Sequence, residues 1–420
     1  MTDHPAGIPD AVRAGRPTVW RNPHRRAARE VLPGLAFGLA EVRAAEARWR
    51  RFDPLLARLF PGLETGRIDS PFLPLDPTLA AEVSGLDAAH LWVKADHDLP
   101  VTGCIKARGG VYEVLITAER LAFDQGWLRK GESYARLAEP PMRAAFGAYT
   151  VAVGSTGNLG FSVGVMARAL GFQVEVHMSH DAKAWKKQRL RDLGARVVEH
   201  AGDYGSAVAA ARDAFAGRAD AHFIDDESSV DLFLGYAAAA FDLERQLDEA
   251  GVRVDSDHPL VVYLPCGVGG APGGVTLGLT LLFGDAVHCV FVEPVAAPCM
   301  LVQLAAGLDR PVSVYDIGLD NRTAADGLAV SSASLLVAGT VGGLIAGVVT
   351  VADADLFAWV RALWQRAEMR LEPSAAAAFA AIRPALASLP ELQIATHVVW
   401  TTGGALLPEA EFRKALAGAA

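Results

Sequence analysis

Lysine and cysteine are scarce in this chain, and apolar runs long enough to span a membrane are missing from it. Arginine carries most of the positive charge, and the lysines are Lys94, Lys106, Lys130, Lys183, Lys186, Lys187 and Lys414. The cysteines show neither CxxC spacing nor a disulfide framework, which is typical of a reducing compartment. Because no signal core is visible either, the sequence predicts a cytoplasmic protein without a membrane partner.

A surplus of positive charge is absent too. The 420 residues carry a formal charge of -9, and basic residues form only short clusters such as Arg25 and Arg26. This balance argues against nucleic acid as a partner. A content of 51% hydrophobic and 21% charged residues is typical of a well-packed protein, so small-molecule chemistry is the function class that the composition favours.

The stretch VTGCIKARGG, residues 101–110, places Lys106 among small residues at the predicted start of a helix. The pattern predicts a strand before it, over 90–96, and a helix after it, over 111–122. At a helix start, unpaired NH groups and the helix dipole favour a neutral amine, which is the form that imine formation needs. The pattern resembles the Schiff-base lysine motif of the fold type II pyridoxal-phosphate enzymes. A solvated helix lysine is the alternative.

Strand and helix patterns alternate along most of the chain. One set of strands is predicted over 149–153, 173–178, 196–200 and 222–225, and a second over 260–264, 288–293 and 397–400. The alternation predicts an α/β fold of two parallel-sheet domains with the ligand in the cleft between them, at the carboxyl ends of the strands. The predicted domains are a large cofactor-binding domain with an N-terminal arm, 1–110 and 245–420, and a small α/β domain, 111–244.

Three other tracts are less regular. Residues 1–33 are predicted to form an arm whose Trp20 docks on the body of the protein. Residues 61–77 are predicted to form a loop. The apolar tract 335–351 is interrupted by glycines and predicts a buried helix or loop.

A glycine-rich loop, CGVGGAPGGV over residues 266–275, joins a predicted strand to a predicted helix. Glycines let successive NH groups converge on an anion, and the following helix adds its positive end. The loop lacks the Lys and Ser/Thr of a nucleotide P-loop and the spacing of a dinucleotide fingerprint. It therefore predicts a site for one phosphate monoester, with a simple tight turn as the alternative.

Two further loops follow predicted strands. In GSTGNLG, residues 154–160, the hydroxyls and NH groups suit a carboxylate, and Asn158 suits a phenolic oxygen. Ser155 or Thr156 as an ordinary helix cap is an equally good interpretation of that loop alone. In TTGG, residues 401–404, a hydroxyl is able to bond a pyridine nitrogen without protonating it. Together with Lys106 and the phosphate loop, these features predict pyridoxal 5'-phosphate as the cofactor.

Longer segments resemble one family within this superfamily. They include GCIKARGGVYEVL, AVGSTGNLGFSVGVMARALGF, VYLPCGVGGAPGGV, DIGLDNRTAADGLAV and THVVWTTGG. In kind and order they are similar to segments of the bacterial D-serine dehydratases (D-serine ammonia-lyases). The resemblance implies β-elimination of D-serine to pyruvate and ammonia, and it runs through most of the chain.

The resemblance also implies roles for individual residues. Lys106 is expected to hold the cofactor covalently, Asn158 to face its phenolic oxygen and Thr402 to meet its ring nitrogen. The phosphate is expected to lie on Gly267, Val268, Gly269, Gly270 and Ala271. Two positions depart from the family pattern: Cys104 replaces a serine and Ala271 interrupts a glycine run. Both sites are expected to survive unless Ala271 needs a positive φ.

Substrate contacts are expected from Ser155, Thr156 and Asp226, although a helix cap is an equally good interpretation of Asp226. The base that removes the Cα proton stays open between Lys106 and Thr156, since a D-amino acid presents that proton to the opposite face. For Arg108, a solvated helix arginine is the favoured interpretation and support of the site is the alternative. Lys183, Lys186 and Lys187 are interpreted as a solvated helix face. The superfamily implies a monovalent cation such as potassium, with Glu293 as the position to examine; the sequence shows no metal-ligand cluster.

Two alternatives keep the same cofactor residues. One is a related lyase for L-serine, L-threonine or another β-hydroxy amino acid, and the other is a non-catalytic pyridoxal-phosphate carrier or sensor. The sequence leaves the oligomeric state open, with a monomer among the options.

Overall fold

Two separate sheets organise the computed structural model, which describes residues 7–86 and 90–418. The first six residues of the predicted arm lie outside the described residues. The strands are β1 (Thr18–Arg21), β2 (Phe72–Pro74), β3 (Leu91–Ala95), β4 (Thr150–Gly154), β5 (Gln173–Ser179), β6 (Arg196–His200), β7 (Ala221–Ile224), β8 (Leu260–Pro265), β9 (Val287–Pro294), β10 (Gly347–Val351) and β11 (Thr396–Thr401).

The seven-stranded sheet has the order β1-β10-β9-β8-β11-β3-β2, and the four-stranded sheet has the order β6-β5-β4-β7. Strands β1 and β2 are antiparallel edges of the larger sheet. All other pairs are parallel. This topology confirms the predicted alternation of strands and helices around parallel sheets. The predicted domain boundaries at 110/111 and 244/245 stay a prediction.

The α-helices connect and cover these strands. They are α1 (Asp10–Arg13), α2 (Ala28–Val31), α3 (Leu39–Leu59), α4 (Pro77–Ser84), α5 (Tyr112–Asp124), α6 (Pro140–Phe146), α7 (Asn158–Leu170), α8 (Ala184–Asp192), α9 (Tyr204–Phe215), α10 (Val230–Ala237), α11 (Ala239–Glu249), α12 (Gly270–Phe283), α13 (Cys299–Ala306), α14 (Leu335–Val341), α15 (Asp353–Ala367), α16 (Pro373–Ser388) and α17 (Glu409–Ala417). Within 7–86 and 90–418, none has the length and apolar content of a membrane span.

Alternate residues of the central strands pack on opposite sides of the larger sheet. Val261 and Tyr263 of β8 belong to one buried cluster with residues of α4, α15 and α16. Val262 and Leu264 belong to another with residues of α12, α13 and α14. Because successive side chains of a strand point to opposite faces, a strand covered on both sides is apolar throughout. Burial of β8 on both faces explains its continuous run LVVYLP.

Three strands were missed by the sequence analysis. The apolar tract 335–351, predicted as buried helix or loop, contains α14 and also β10. A short apolar run is compatible with a buried strand or a buried helix, so periodicity does not separate them. Trp20 of the arm docks as predicted and is 8% exposed, but it does so within β1, which pairs antiparallel with β10. Strand β2 likewise lies in the predicted loop 61–77.

Candidate active site

One cavity lies at the carboxyl ends of strands from both sheets. It is lined by every residue that the sequence predicts for the site, namely Lys106, Ser155, Thr156, Asn158, Asp226, Gly267, Val268, Gly269, Gly270, Ala271 and Thr402. These residues follow β3, β4, β7, β8 and β11. Carboxyl ends of parallel strands are where α/β folds bind ligands. The structure brings the predicted residues together, while their individual roles stay predictions.

Lys106 lies at the start of the helical segment that leads into α5. The segment opens with a π-helical turn, Ala107–Val111, and Lys106 Nζ lies 3.1 Å from Asp226 Oδ2, with 21% of the lysine side chain exposed. A Cβ atom on Gly109 would lie 2.4 Å from Cε2 of Tyr236. Glycine is therefore required there for the helix that carries Lys106 to pack closely against α10.

The predicted phosphate loop connects β8 to α12. Gly269 has φ +111°, a backbone conformation that residues with a Cβ atom rarely adopt. Helix α12 begins at the next residue. Unpaired NH groups at this helix start suit an anion. Ala271 lies within α12 and not among the described positive-φ residues. Ala271 therefore does not need a positive φ, which was the condition for an alanine at this position to be compatible with the phosphate site.

The loop between β4 and α7 is stabilised by Ser155. Its hydroxyl accepts hydrogen bonds from the NH groups of Gly157 and Gly160, each at 2.9 Å. Ser155 therefore does cap this helix start, while it also lines the cavity. Thr156 lines the cavity too and is partly exposed, which leaves it accessible to a ligand.

Asn158 is held by a residue that the sequence analysis missed. Its Nδ2 donates to Glu372 Oε1 at 3.0 Å, and Glu372 is 6% exposed. Burial raises the pKa of Glu372, although Lys186 opposes this. No local motif marks Glu372, because the two partners are 214 residues apart in the sequence. The bond orients the amide that is predicted to face the phenolic oxygen.

The interpretation of Lys186 and Lys187 as solvated was wrong. They are 3% and 6% exposed, and Lys186 Nζ lies 2.8 Å from Asp326 Oδ2. Burial lowers the pKa of Lys186, but the carboxylates of Asp326 and Glu372 outweigh burial and leave this pKa raised. Lys186 thus links α8, beside the four-stranded sheet, to two acidic residues that lie beyond β8 in the chain. Its burial depends on this distant partner and not on any pattern within α8.

Arg108 was also interpreted wrongly as solvated. It is 3% exposed, and its guanidinium donates to both oxygens of Asp96, at 2.6 and 2.9 Å, and to Asp242 at 3.1 Å. Burial lowers the pKa of Arg108, but Asp96 and the other carboxylates outweigh it and raise the pKa. The network fixes the helical segment two residues after Lys106. A buried arginine of this kind needs carboxylate partners from other elements, which spacing does not reveal.

Glu293 does not present a ready-made metal centre. Its carboxylate accepts from the NH groups of Met300 and Leu301, at 2.7 and 3.0 Å, and therefore binds the first turn of α13. Burial raises the pKa of Glu293 to about 8. Across residues 7–86 and 90–418, no group of three or more His, Cys, Asp or Glu side chains is placed to hold a metal ion.

The cavity contains polar atoms that suit a bound cofactor. The hydroxyl of Thr402 and one oxygen of Asp226 are buried and have no hydrogen-bond partner in the described part of the chain. Buried polar groups are normally satisfied. A ring nitrogen would use the Thr402 hydroxyl, the glycine loop would hold a phosphate and Lys106 would hold an aldehyde, so the residues present fit pyridoxal phosphate.

Together, the two parallel sheets and a lysine facing a phosphate loop define a pyridoxal-phosphate enzyme of fold type II. The family model described as "Pyridoxal-phosphate dependent enzyme" matches residues 70–403, and the chain belongs to this family. It is similar along its length to proteins named probable D-serine dehydratase. The one from Burkholderia lata is 51% identical over 100% of this chain and 98% of its own length. The one from Cupriavidus pinatubonensis is 52% identical over 95% and 92%.

Solved structures share the fold at lower identity. Diaminopropionate ammonia lyase from Escherichia coli, in its complex with D-serine, has a TM-score of 0.71 and 19% identity, covering 96% of this chain and 97% of its own. The processed form of threonine deaminase isoform 2 from Solanum lycopersicum has a TM-score of 0.65 and 19% identity, covering 96% and 97%. These likenesses confirm the predicted fold class.

Proposed function

We propose that this chain is a lyase that converts D-serine to pyruvate and ammonia with pyridoxal phosphate. The observation that carries the proposal is the 51% identity, over the whole chain, to a probable D-serine dehydratase. The cavity supports it, because a lysine, a phosphate loop and two candidate carboxylate-binding hydroxyls line the same space.

Each group in the cavity has a proposed task. Lys106 holds the cofactor covalently, the loop 267–271 binds its phosphate, and Asn158 and Thr402 bind the phenolic oxygen and ring nitrogen. When bound, the cofactor withdraws electrons from Cα of the amino acid. Ser155 and Thr156 bind the substrate carboxylate at the start of α7, where NH groups and the helix dipole favour an anion.

The test is pyruvate release from D-serine and L-serine in parallel, with Lys106→Ala as the control. Turnover of D-serine alone, lost in the variant, is the expected result. Turnover of L-serine or L-threonine in its place would favour the related lyase. A protein that retains cofactor and releases no pyruvate from any of these substrates would be a carrier or sensor, and the proposal would fall.

Thr156 is proposed as the group that removes the Cα proton, with Lys106 as the alternative base. Both line the cavity, and a base must reach the proton directly or through one water. Thr156→Val is expected to slow exchange of the Cα proton of D-serine into deuterated water, measured by NMR. An undiminished exchange rate would assign the proton to Lys106.

A potassium ion near Glu293 is a further part of the proposal. Glu293 is fully buried, with 0% of its surface exposed, and a monovalent cation would stabilise its charged form. Replacing potassium by tetramethylammonium is expected to lower the turnover of D-serine. We also propose the cytoplasm as the location, since the cysteines Cys104, Cys266, Cys289 and Cys299 are all free and buried.

A further inference from the structure

Tyr204 lines the cavity and carries a hydroxyl that none of the roles above uses. It is the first residue of α9, lines the cavity and is 7% exposed. Among the described residues its hydroxyl has no hydrogen-bond partner. A buried hydroxyl without a partner is costly. Tyr204 joins Thr402 and Asp226 as a residue that lines the cavity and has a buried polar atom without a partner in the described ranges.

The start of α9, where Tyr204 lies, is held in place through the residue before it. The preceding residue, Asp203, accepts from the NH of Ser206 at 3.0 Å in the first turn of α9. Its other oxygen accepts from the hydroxyls of Tyr315 at 3.0 Å and Ser331 at 3.2 Å. Burial raises the pKa of Tyr204, and Asp226 is the charge that raises it most. The phenol therefore stays protonated and able to donate.

The free groups of Tyr204 and Asp226 select the chemistry of a ligand that would satisfy both. The phenol needs an acceptor, and the free carboxylate oxygen needs a donor. An ammonium group has no acceptor, and a carboxylate has no donor and is repelled by Asp226. A hydroxyl group supplies both from one oxygen atom. In D-serine this group is the β-hydroxyl.

We infer that Tyr204 donates a hydrogen bond to the β-hydroxyl of the substrate while Asp226 accepts one from it. The inference rests on the proposed function and makes Tyr204 a catalytic residue for departure of the hydroxyl. In the elimination, the Cα–H pair becomes the Cα–Cβ double bond and the Cβ–O pair leaves with oxygen. The base takes one proton from Cα and the departing hydroxide takes up one proton, so the hydroxyl leaves as water and the protons balance. The phenol stabilises the charge that develops on the departing oxygen.

The test compares D-serine with β-chloro-D-alanine in Tyr204→Phe. Chloride is a weak base that leaves without a donor, whereas hydroxide needs one. We expect kcat/KM for D-serine to fall by about 100-fold, as for removal of one donor to a developing oxyanion. For β-chloro-D-alanine we expect a change below about threefold, because no oxygen departs.

Tyr236→Phe is the matched control. Its hydroxyl is also buried and unpartnered in the described ranges, but Tyr236 does not line the cavity. This variant should leave the ratio of the two kcat/KM values unchanged. Equal losses for both substrates in Tyr204→Phe would overturn the inference. Equal losses with weaker cofactor retention would assign Tyr204 to the cofactor instead.

Two further results separate the inference from the proposed function. If the unchanged protein released no pyruvate from D-serine, both would fall. If it did, and Tyr204→Phe kept its full rate, only the inference would fall. If circular dichroism shows that Tyr204→Phe does not fold, inhibition by D-alanine of the protein without substitutions tests the inference. Lacking the hydroxyl, D-alanine should inhibit with a Ki at least about tenfold above the KM of D-serine, and equal constants would overturn the inference.

Discussion

Replacing Arg108 by alanine is expected to destabilise the protein more than the loss of any exposed ion pair. The guanidinium donates to Asp96 and Asp242 at 2.6, 2.9 and 3.1 Å, and Asp96 is 0% exposed. Removing one partner of a buried ion pair costs about 3–5 kcal/mol, because the other charge stays buried. Asp96 keeps bonds from Ser70 and Trp400, so we expect the lower end, about 3 kcal/mol.

Urea unfolding followed by tryptophan fluorescence measures this loss. The matched control is Arg120→Ala, which removes an equally short pair with Asp231 at 2.6 Å on a side chain that is 57% exposed. An exposed pair contributes less than about 1 kcal/mol. If Arg108→Ala cost no more than this control, the reasoning from burial would be refuted.

A double variant tests the physical cause. Arg108→Met with Asp96→Asn removes both charges, so neither is left buried without its partner. We expect the double variant to be more stable than Arg108→Ala. A double variant that is less stable by the sum of two independent losses would show that desolvated charge is not the source of the effect.

Three other changes have expected outcomes. Lys186→Met leaves two acidic side chains without their counter-charge and should cost about 3 kcal/mol by urea unfolding, against less than about 1 kcal/mol for exposed Lys414→Met. Burial lowers the pKa of His397 to about 4, whereas an unfolded histidine titrates near about 6.5; stability should therefore be full above that pH and fall on acidification toward pH 4, less steeply in His397→Gln. Gly269→Ala forces φ +111° on a side chain and should cost about 1–3 kcal/mol and weaken retention of pyridoxal phosphate. Gly339→Ala, with nothing within 4 Å of the added atom, should not.

Local patterns predicted the parallel strands, apart from β10, and the loops at their carboxyl ends. Alternating strand and helix periods, and glycines directly after apolar strands, are properties of neighbouring residues. Strand β6 accordingly begins and ends at the predicted residues. The edge strands β1 and β2 were missed because a short strand is defined by its pairing with a neighbouring strand and not by its own residues alone.

Burial of charge was decided by the tertiary structure. Arg108 and Lys186 have the local sequence of solvated helix residues. In the structure each is buried and forms ion pairs with carboxylates from other elements. Tyr204 and Glu372 line the cavity from the N-terminal ends of α9 and α16, which carry no motif. Their positions depend on how the two sheets face each other.

The sequence by itself determined the family, the lysine and the glycine loops, because those features need particular residue types at fixed short spacing. Only the tertiary structure placed Asp226 3.1 Å from Lys106 across 120 residues of chain. It also left the hydroxyl of Tyr204, a residue that lines the same cavity, without a hydrogen-bond partner among the residues the structure describes. A polar atom becomes available to a ligand when the fold excludes both water and every alternative partner, and that condition is set by packing and not by sequence order.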